Sequence, residues 1–181
     1  MERLYIEGSE ISTFRKKTEK ARIQLLRQTK FCGNGRIGHG RYTRIKPTEP
    51  LSEKVKNFRD LTNDKYSRAI VNFAIQNNCG TIHMEDLTGI NKTDSFLANW
   101  SYYDLQQKIK RKAEELGIIV KYINPEYTSQ RCSKCGYTDS GNRPKEEKGQ
   151  AYFKCLKCGF ETNADYNAAR NIAMSTNFVE K

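Results

Sequence analysis

The sequence predicts an α/β fold carrying a small metal-stapled insert. Three observations predict it. Helical patterns alternate with short apolar runs between Ser52 and Ile123, the order helix, strand, helix, strand that α/β layers require. Four of the six cysteines fall into two C-x2-C pairs, a spacing that reads as a metal site rather than a disulfide framework. Hydrophobic residues make up 36% of the 181, so the core must be thin and a metal staple would help to hold it.

The elements follow in order. Leu4 to Ile6 is a short apolar run stopped by Gly8 and reads as the end of a strand. Ser9 is placed to cap a helix over about Glu10 to Lys30, with Phe14, Ala21 and Leu25 as a weak apolar stripe. A glycine-rich basic loop, residues 31–50, interrupts the pattern. Ser52 is placed to cap a second helix reaching about Asn77, whose Val55, Phe58, Leu61, Ala69, Ile70, Phe73 and Ala74 recur at helical spacing. Thr81 to Glu85 reads as a strand with Ile82 and Met84 on one face and His83 and Glu85 on the other. A helix from Tyr102 to Leu116, closed by Gly117, leads to an apolar run, Ile118 to Ile123, that suits a strand covered on both faces. The last helix runs from Ala164 to about Met174.

The formal charge is +11, which points to a polyanionic partner. Eleven Lys or Arg against one acid, Glu19, lie between Ile11 and Lys46. Arg36, Arg41, Arg44 and Lys46, interleaved with glycines, make a basic loop suited to a phosphate backbone. No run approaches the roughly 18 apolar residues of a membrane span, and Met1 to Ile6 lacks a basic-then-apolar leader. A soluble, cytoplasmic protein without a membrane partner is expected.

Cys132, Cys135, Cys155 and Cys158 supply four thiolates, enough for a closed, structural Zn2+ site with no position left for catalysis. Gly136 and Gly159 each follow a pair, where a positive φ would turn the chain away from the metal. Arg131, Lys134, Lys154 and Lys157 flank the ligands and can offset the excess negative charge. Such a basic knuckle suits nucleic acid, and Arg131 and Lys134 join the candidate contacts. Cys32 and Cys79 read as small, semi-buried thiols.

Glu85 at a strand end and Asp165 near a helix start are weak signals singly, since such acids are commonly solvated or capping. In order along the chain, however, stand Met84-Glu85-Asp86-Leu87, Thr128-Ser129-Gln130-Arg131-Cys132-Ser133-Lys134-Cys135-Gly136, Cys155-Leu156-Lys157-Cys158-Gly159, and Asn163-Ala164-Asp165-Tyr166-Asn167-Ala168-Ala169-Arg170-Asn171-Ile172. This set resembles the C-terminal half of the TnpB (OrfB) proteins, and still more the miniature type V-F CRISPR effector nucleases. The stretches Gly38 to Asp60 and Trp100 to Gln107 extend the resemblance over almost the whole chain.

The resemblance implies a RuvC, RNase H-like nuclease with an inserted four-cysteine zinc ribbon. Glu85 and Asp165 match two carboxylates that hold Mg2+ there, hard oxygen ligands for a hard cation, used to clamp both oxygens of an in-line displacement. Arg143 resembles an assisting arginine. The partners implied are a guide RNA and a target DNA, with base pairing reading the sequence, and a homodimer. The boundaries are a RuvC-like part over 1–125, a zinc-ribbon target-nucleic-acid module over 126–162, and a RuvC C-terminal helix and tail over 163–181. The family's first Asp lies in a G-I-D-x-G strand that this sequence lacks. The expectation is therefore a partial RNase H-like fold without its first two strands, Leu4 to Ile6 serving as strand three and Thr81 to Glu85 as a strand with an open edge. It is expected to be inactive alone and to need a missing N-terminal half. The competing expectation is a non-catalytic, zinc-ribbon nucleic-acid-binding protein, or a partner for a longer nuclease. Asp60, Asp64 and Asp86 read as surface charge.

Overall fold

The computed structural model describes residues 2–31, 49–88, 102–144 and 151–179. Two helices come first, α1 (Ser9–Phe31) and α2 (Glu49–Gln76). Strand β1 (Thr81–Glu85), helix α3 (Tyr102–Glu114) and strand β2 (Ile119–Ile123) follow. The ribbon hairpin is β3 (Tyr152–Lys154) with β4 (Glu161–Asn163), and the described chain ends in α4 (Ala164–Met174) and β5 (Phe178–Val179). No helix among the described residues is long and apolar enough to cross a membrane.

The main sheet has the order β1-β2-β5. β1 and β2 are parallel, Thr81 opposite Ile119 and Glu85 opposite Ile123, joined by the α3 crossover that parallel strands need. β5 pairs antiparallel with β2, Phe178 opposite Ile123. A two-residue strand has no period to read, so the sequence offered no sign of it. β1 stands at the edge of this sheet among the described residues.

Alternation along β1 separates two faces. Ile82 and Met84 join Val71, Ala74, Ile109, Ala113 and Ile118 in the core beneath α2 and α3. His83 faces α4, its Nδ1 3.1 Å from the Ile172 carbonyl oxygen. β2 is covered only toward its C-terminal end: Ile123 is fully buried, whereas Ile119 is 58% exposed. Leu4 to Ile6 is not a strand, and Leu4 and Tyr5 are exposed. Instead, Ile6 packs on the Ile11–Tyr66 cluster. Three apolar residues are too few to set a strand without an edge to pair with.

The expected caps shift for local reasons. Ser9 is already helical, and the Gly8 carbonyl accepts from Ile11 and Ser12 in its place. α2 begins before Ser52 because Pro50 is tolerated in a first turn, whose N–H groups have no helical acceptor. The stripe on α2 also differs from the apolar pattern. Leu61 is exposed, whereas Asn63 and Ser67 are fully buried, one turn apart. α3 supplies a partner to each: Asn63 Nδ2 donates to Asp104 at 2.7 Å, and Lys112 Nζ donates to Ser67 Oγ at 2.7 Å. Asp60 and Asp64 are more than surface charge. Lys108 reaches Asp60 at 2.6 Å and Lys112 reaches Asp64 at 2.5 Å. On α1, Glu10 accepts from the Tyr66 hydroxyl at 2.7 Å, and burial together with Glu10 pushes that phenol up to about 12.

Candidate functional site

The two C-x2-C turns have matching geometry. In the first, the Gly136 N–H donates to the Cys132 carbonyl and the Cys132 N–H to the Tyr137 carbonyl; in the second, Gly159 donates to Cys155 and Cys155 to Phe160. Gly136 and Gly159 have φ of 76° and 67°, as expected of glycines in the left-handed region. The knuckles bring Cys132 Sγ to 3.8 Å from Cys158 Sγ and Cys135 Sγ to 3.6 Å from Cys155 Sγ, with all four sulfurs within 4.8 Å of one another. Tetrahedral ligands at the Zn–S length of about 2.3 Å stand about 3.8 Å apart, so the cluster fits a metal such as zinc.

Electrostatics point the same way. Burial opposes the Cys155 thiolate, but the N–H groups of Cys158 and Lys157 outweigh it and bring the thiol down to about 7. The Phe160 N–H favours a Cys158 thiolate, yet burial and the three neighbouring thiols push it up to about 12. Four thiolates cannot share this volume without a cation, the charge that a divalent metal would supply.

The flanking cations are partly committed elsewhere. Lys154, expected to offset the thiolates, pairs with Glu161 at 2.8 Å across the β3–β4 hairpin. Lys134 Nζ lies 5.9 Å from the Phe160 ring centre, and Lys157 Nζ 5.9 Å from that of Tyr137, each over the other knuckle's aromatic. Arg131 and Lys134 are exposed and line a groove of about 470 Å3 with Thr128, Asn171 and Asn177. Arg36, Arg41, Arg44 and Lys46, with most of the basic loop and Cys32, lie outside the described residues. Cys79 is exposed rather than semi-buried.

Asparagines hold the ribbon together in a way that the sequence reading missed. Asn142 has no exposed surface; it donates to the Gln130 carbonyl at 2.9 Å and accepts from the Leu156 N–H at 2.9 Å, so it staples one knuckle to the other. Asn163 caps α4 by accepting from the N–H groups of Asp165 and Tyr166. Asn167 accepts from the Ser133 N–H and donates to the Arg131 carbonyl at 2.7 Å. Asn171 donates to the carbonyls of Thr128 at 2.8 Å and Arg131 at 2.6 Å. The four-residue spacing of Asn167 and Asn171 puts both on one face of α4, and that was the available signal.

Glu85 closes β1. Its Oε1 accepts from Thr128 Oγ1 at 2.6 Å, and its backbone carbonyl accepts from Gln106 Nε2 at 2.8 Å. Asp165 sits in the first turn of α4, exposed, and Asn163 rather than Asp165 is the cap. The two acids stand on touching elements. The hydrogen bonds tie Glu85 through Thr128 to Asn171, six residues beyond Asp165, about 9 Å along a helix axis. Arg143 is half-buried at the end of the 3-10 turn Ser140–Asn142, between the knuckles. Among the described residues, the four cysteines are the only group of three or more Cys, His, Asp or Glu side chains close enough to hold one metal.

Residues 102–172, from α3 through both knuckles into α4, match the family model described as the Cas12f1-like TNB domain. Over 95% of its length the chain is 61% identical to the CRISPR-associated endodeoxyribonuclease Cas12f1 of Sulfoacidibacillus thermotolerans, covering 40% of that protein. The chain is similar, over almost its whole length, to the miniature type V-F effectors, the Cas12f proteins. Its fold agrees: the cryo-EM structure of a Cas12f1–sgRNA–target DNA complex superposes with a TM-score of 0.76 at 33% identity, over 96% of this chain and 44% of that one. A TnpB-like protein of Aquifex aeolicus is 40% identical over 40% of the chain and 23% of its own length. The likeness to the miniature effectors is thus the more extensive, as the motifs implied. The chain spans about 40% of the length of the curated Cas12f1 relatives it matches.

Proposed function

We propose that this chain is the C-terminal RuvC and zinc-ribbon portion of an RNA-guided, Mg2+-dependent DNA endonuclease. In this reading, residues 1–125 and 163–181 belong to a partial RNase H-like nuclease unit, and 126–162 form the ribbon that contacts target nucleic acid. Glu85 and Asp165 hold Mg2+, and Arg143 assists them. When bound, the metal supplies the charge that activates water and stabilises the leaving oxygen. The basic loop with Arg36, Arg41, Arg44 and Lys46, and the groove beside Arg131 and Lys134, take phosphate backbone. The partners are a guide RNA and a target DNA, as in the complex of the structural relative, and a second copy of the chain or an N-terminal half.

The observation that carries the reading is the packing of β1, which ends in Glu85, against α4, which opens with Asp165. One Glu85 oxygen is held by Thr128, while Oε2 has no hydrogen-bond or ion-pair partner among the described residues. An oriented carboxylate with one open oxygen suits a metal ligand. The sequence contains no G-x-D-x-G motif, so in this reading a third carboxylate must be supplied and the chain does not cleave by itself. A second reading, a non-catalytic ribbon that binds nucleic acid, is favoured by the lack of a three-carboxylate cluster among the described residues.

The test is target-DNA cleavage with guide RNA and Mg2+. The chain is assayed alone and then with a polypeptide supplying the part of the Cas12f1 relative that it does not cover. Cleavage is expected only in the mixture, and Glu85→Gln or Asp165→Asn should each reduce it at least about 100-fold, the scale of losing a group that stabilises transition-state charge. Cleavage indifferent to both substitutions would refute the nuclease assignment. Tight nucleic-acid binding with no cleavage in the mixture would establish the second reading.

A further inference from the structure

The turn leading from the sheet into the ribbon brings one residue against both acid-bearing elements. Thr128 Oγ1 lies 2.6 Å from Glu85 Oε1 and 3.0 Å from the Pro125 carbonyl oxygen. A hydroxyl has a single hydrogen to donate, and the shorter contact to a charged acceptor is the stronger. The hydroxyl therefore serves Glu85 first. The Thr128 carbonyl accepts from Asn171 Nδ2 at 2.8 Å, and that same amide donates to the carbonyl of Arg131, the residue before Cys132, at 2.6 Å. Asn171 is only 9% exposed, so these bonds are sheltered from water. The preceding residue, Tyr127, has φ of 60°, a region that bulky side chains rarely adopt. The backbone turns sharply just where it must lift Thr128 to the end of β1.

The geometry points to Thr128 as a positioning residue that orients the Glu85 carboxylate and, through Asn171, ties it to α4 and to the first zinc knuckle. This rests on the reading of Glu85 as a metal ligand. Thr128 touches no reacting atom. It leaves Oε2 open and removes the rotation of Glu85 that would otherwise weaken metal binding. Because Asn171 bridges Thr128 to Arg131, the ribbon's metal cluster and the nuclease carboxylate share one hydrogen-bonded path.

Two measurements test this, both on the reconstituted nuclease with Mn2+ as the probe. Mn2+ affinity is read from the EPR signal of the free ion. Thr128→Val keeps the side-chain shape and removes the donor, and it should weaken binding about 10–100-fold, the usual cost of losing an outer partner of a metal ligand. Thr128→Ser should restore it, with zinc content unchanged in both variants. The second measurement is a double-mutant cycle of Thr128→Val with Glu85→Ala, which removes the acceptor, on thermal unfolding, which needs no metal; the two changes should be non-additive. Additive effects overturn the proposal. So does parent-like Mn2+ affinity in Thr128→Val when Glu85→Gln abolishes binding, a result that leaves the nuclease reading intact. Parent-like affinity in Glu85→Gln instead removes the reading of Glu85 itself, and this inference with it.

Discussion

Asn142 shows how a single buried amide can join two halves of a module this small. Its side chain bonds the first knuckle through Gln130 and Tyr137 and the second through Leu156. Truncation to Ala would take a partner from the Leu156 N–H and from the Gln130 carbonyl, both in part-buried bonds, each loss costing on the order of 1 kcal/mol. Asn142→Ala should therefore destabilise the ribbon by about 2 kcal/mol, measured as earlier zinc release during denaturant unfolding. The native variant should still hold its full zinc complement, because all four thiols remain. At this scale the cysteines were legible and the asparagines were not. A C-x2-C turn encloses its chemistry within four residues. Asn142, Asn167 and Asn171 gain meaning mainly from partners 12 to 43 positions away in the chain.

At the scale of elements, α2 and α3 are joined by polar groups as much as by their apolar core. The Lys112 hydrogen bond, helped by Arg68, holds the Asp64 carboxyl below the usual carboxylate range, and Lys108 does the same for Asp60. Glu10 on α1 is likewise held low, first by the Tyr66 hydroxyl and then by Lys65. A depressed carboxylate adds stability above its unfolded pKa, near 4, and loses it as pH falls through the lower folded value. The urea midpoint should thus drop as pH falls from about 5 towards 3. In Asp64→Asn the midpoint should be lower at neutral pH and fall less on acidification. An acid limb unchanged by Asp64→Asn would mean that the pair contributes nothing. Periodicity found the helices because apolar spacing is local. It misplaced the α2 stripe because Asn63 and Ser67 take buried positions facing polar partners on α3, leaving Leu61 outside.

For the whole molecule, the order of motifs conveyed more than the pattern of elements. Thr81 to Glu85, Ile119 to Ile123 and the helix from Ala164 stand where apolar runs and turn residues put them. The strand expected at Leu4 to Ile6 failed because pairing, not composition, makes a strand, and β5 was unreadable because pairing alone defines it. The central claim is that Glu85 and Asp165 share divalent metal beside a zinc-held ribbon. Its most direct test is anomalous scattering from Mn2+ in crystals of the reconstituted nuclease. The account predicts a Mn2+ peak between these two side chains, about 2.1 Å from an oxygen of each, the length expected for a hard divalent ion. Carboxylates too far apart to share an ion, or a peak that touches neither, would contradict it.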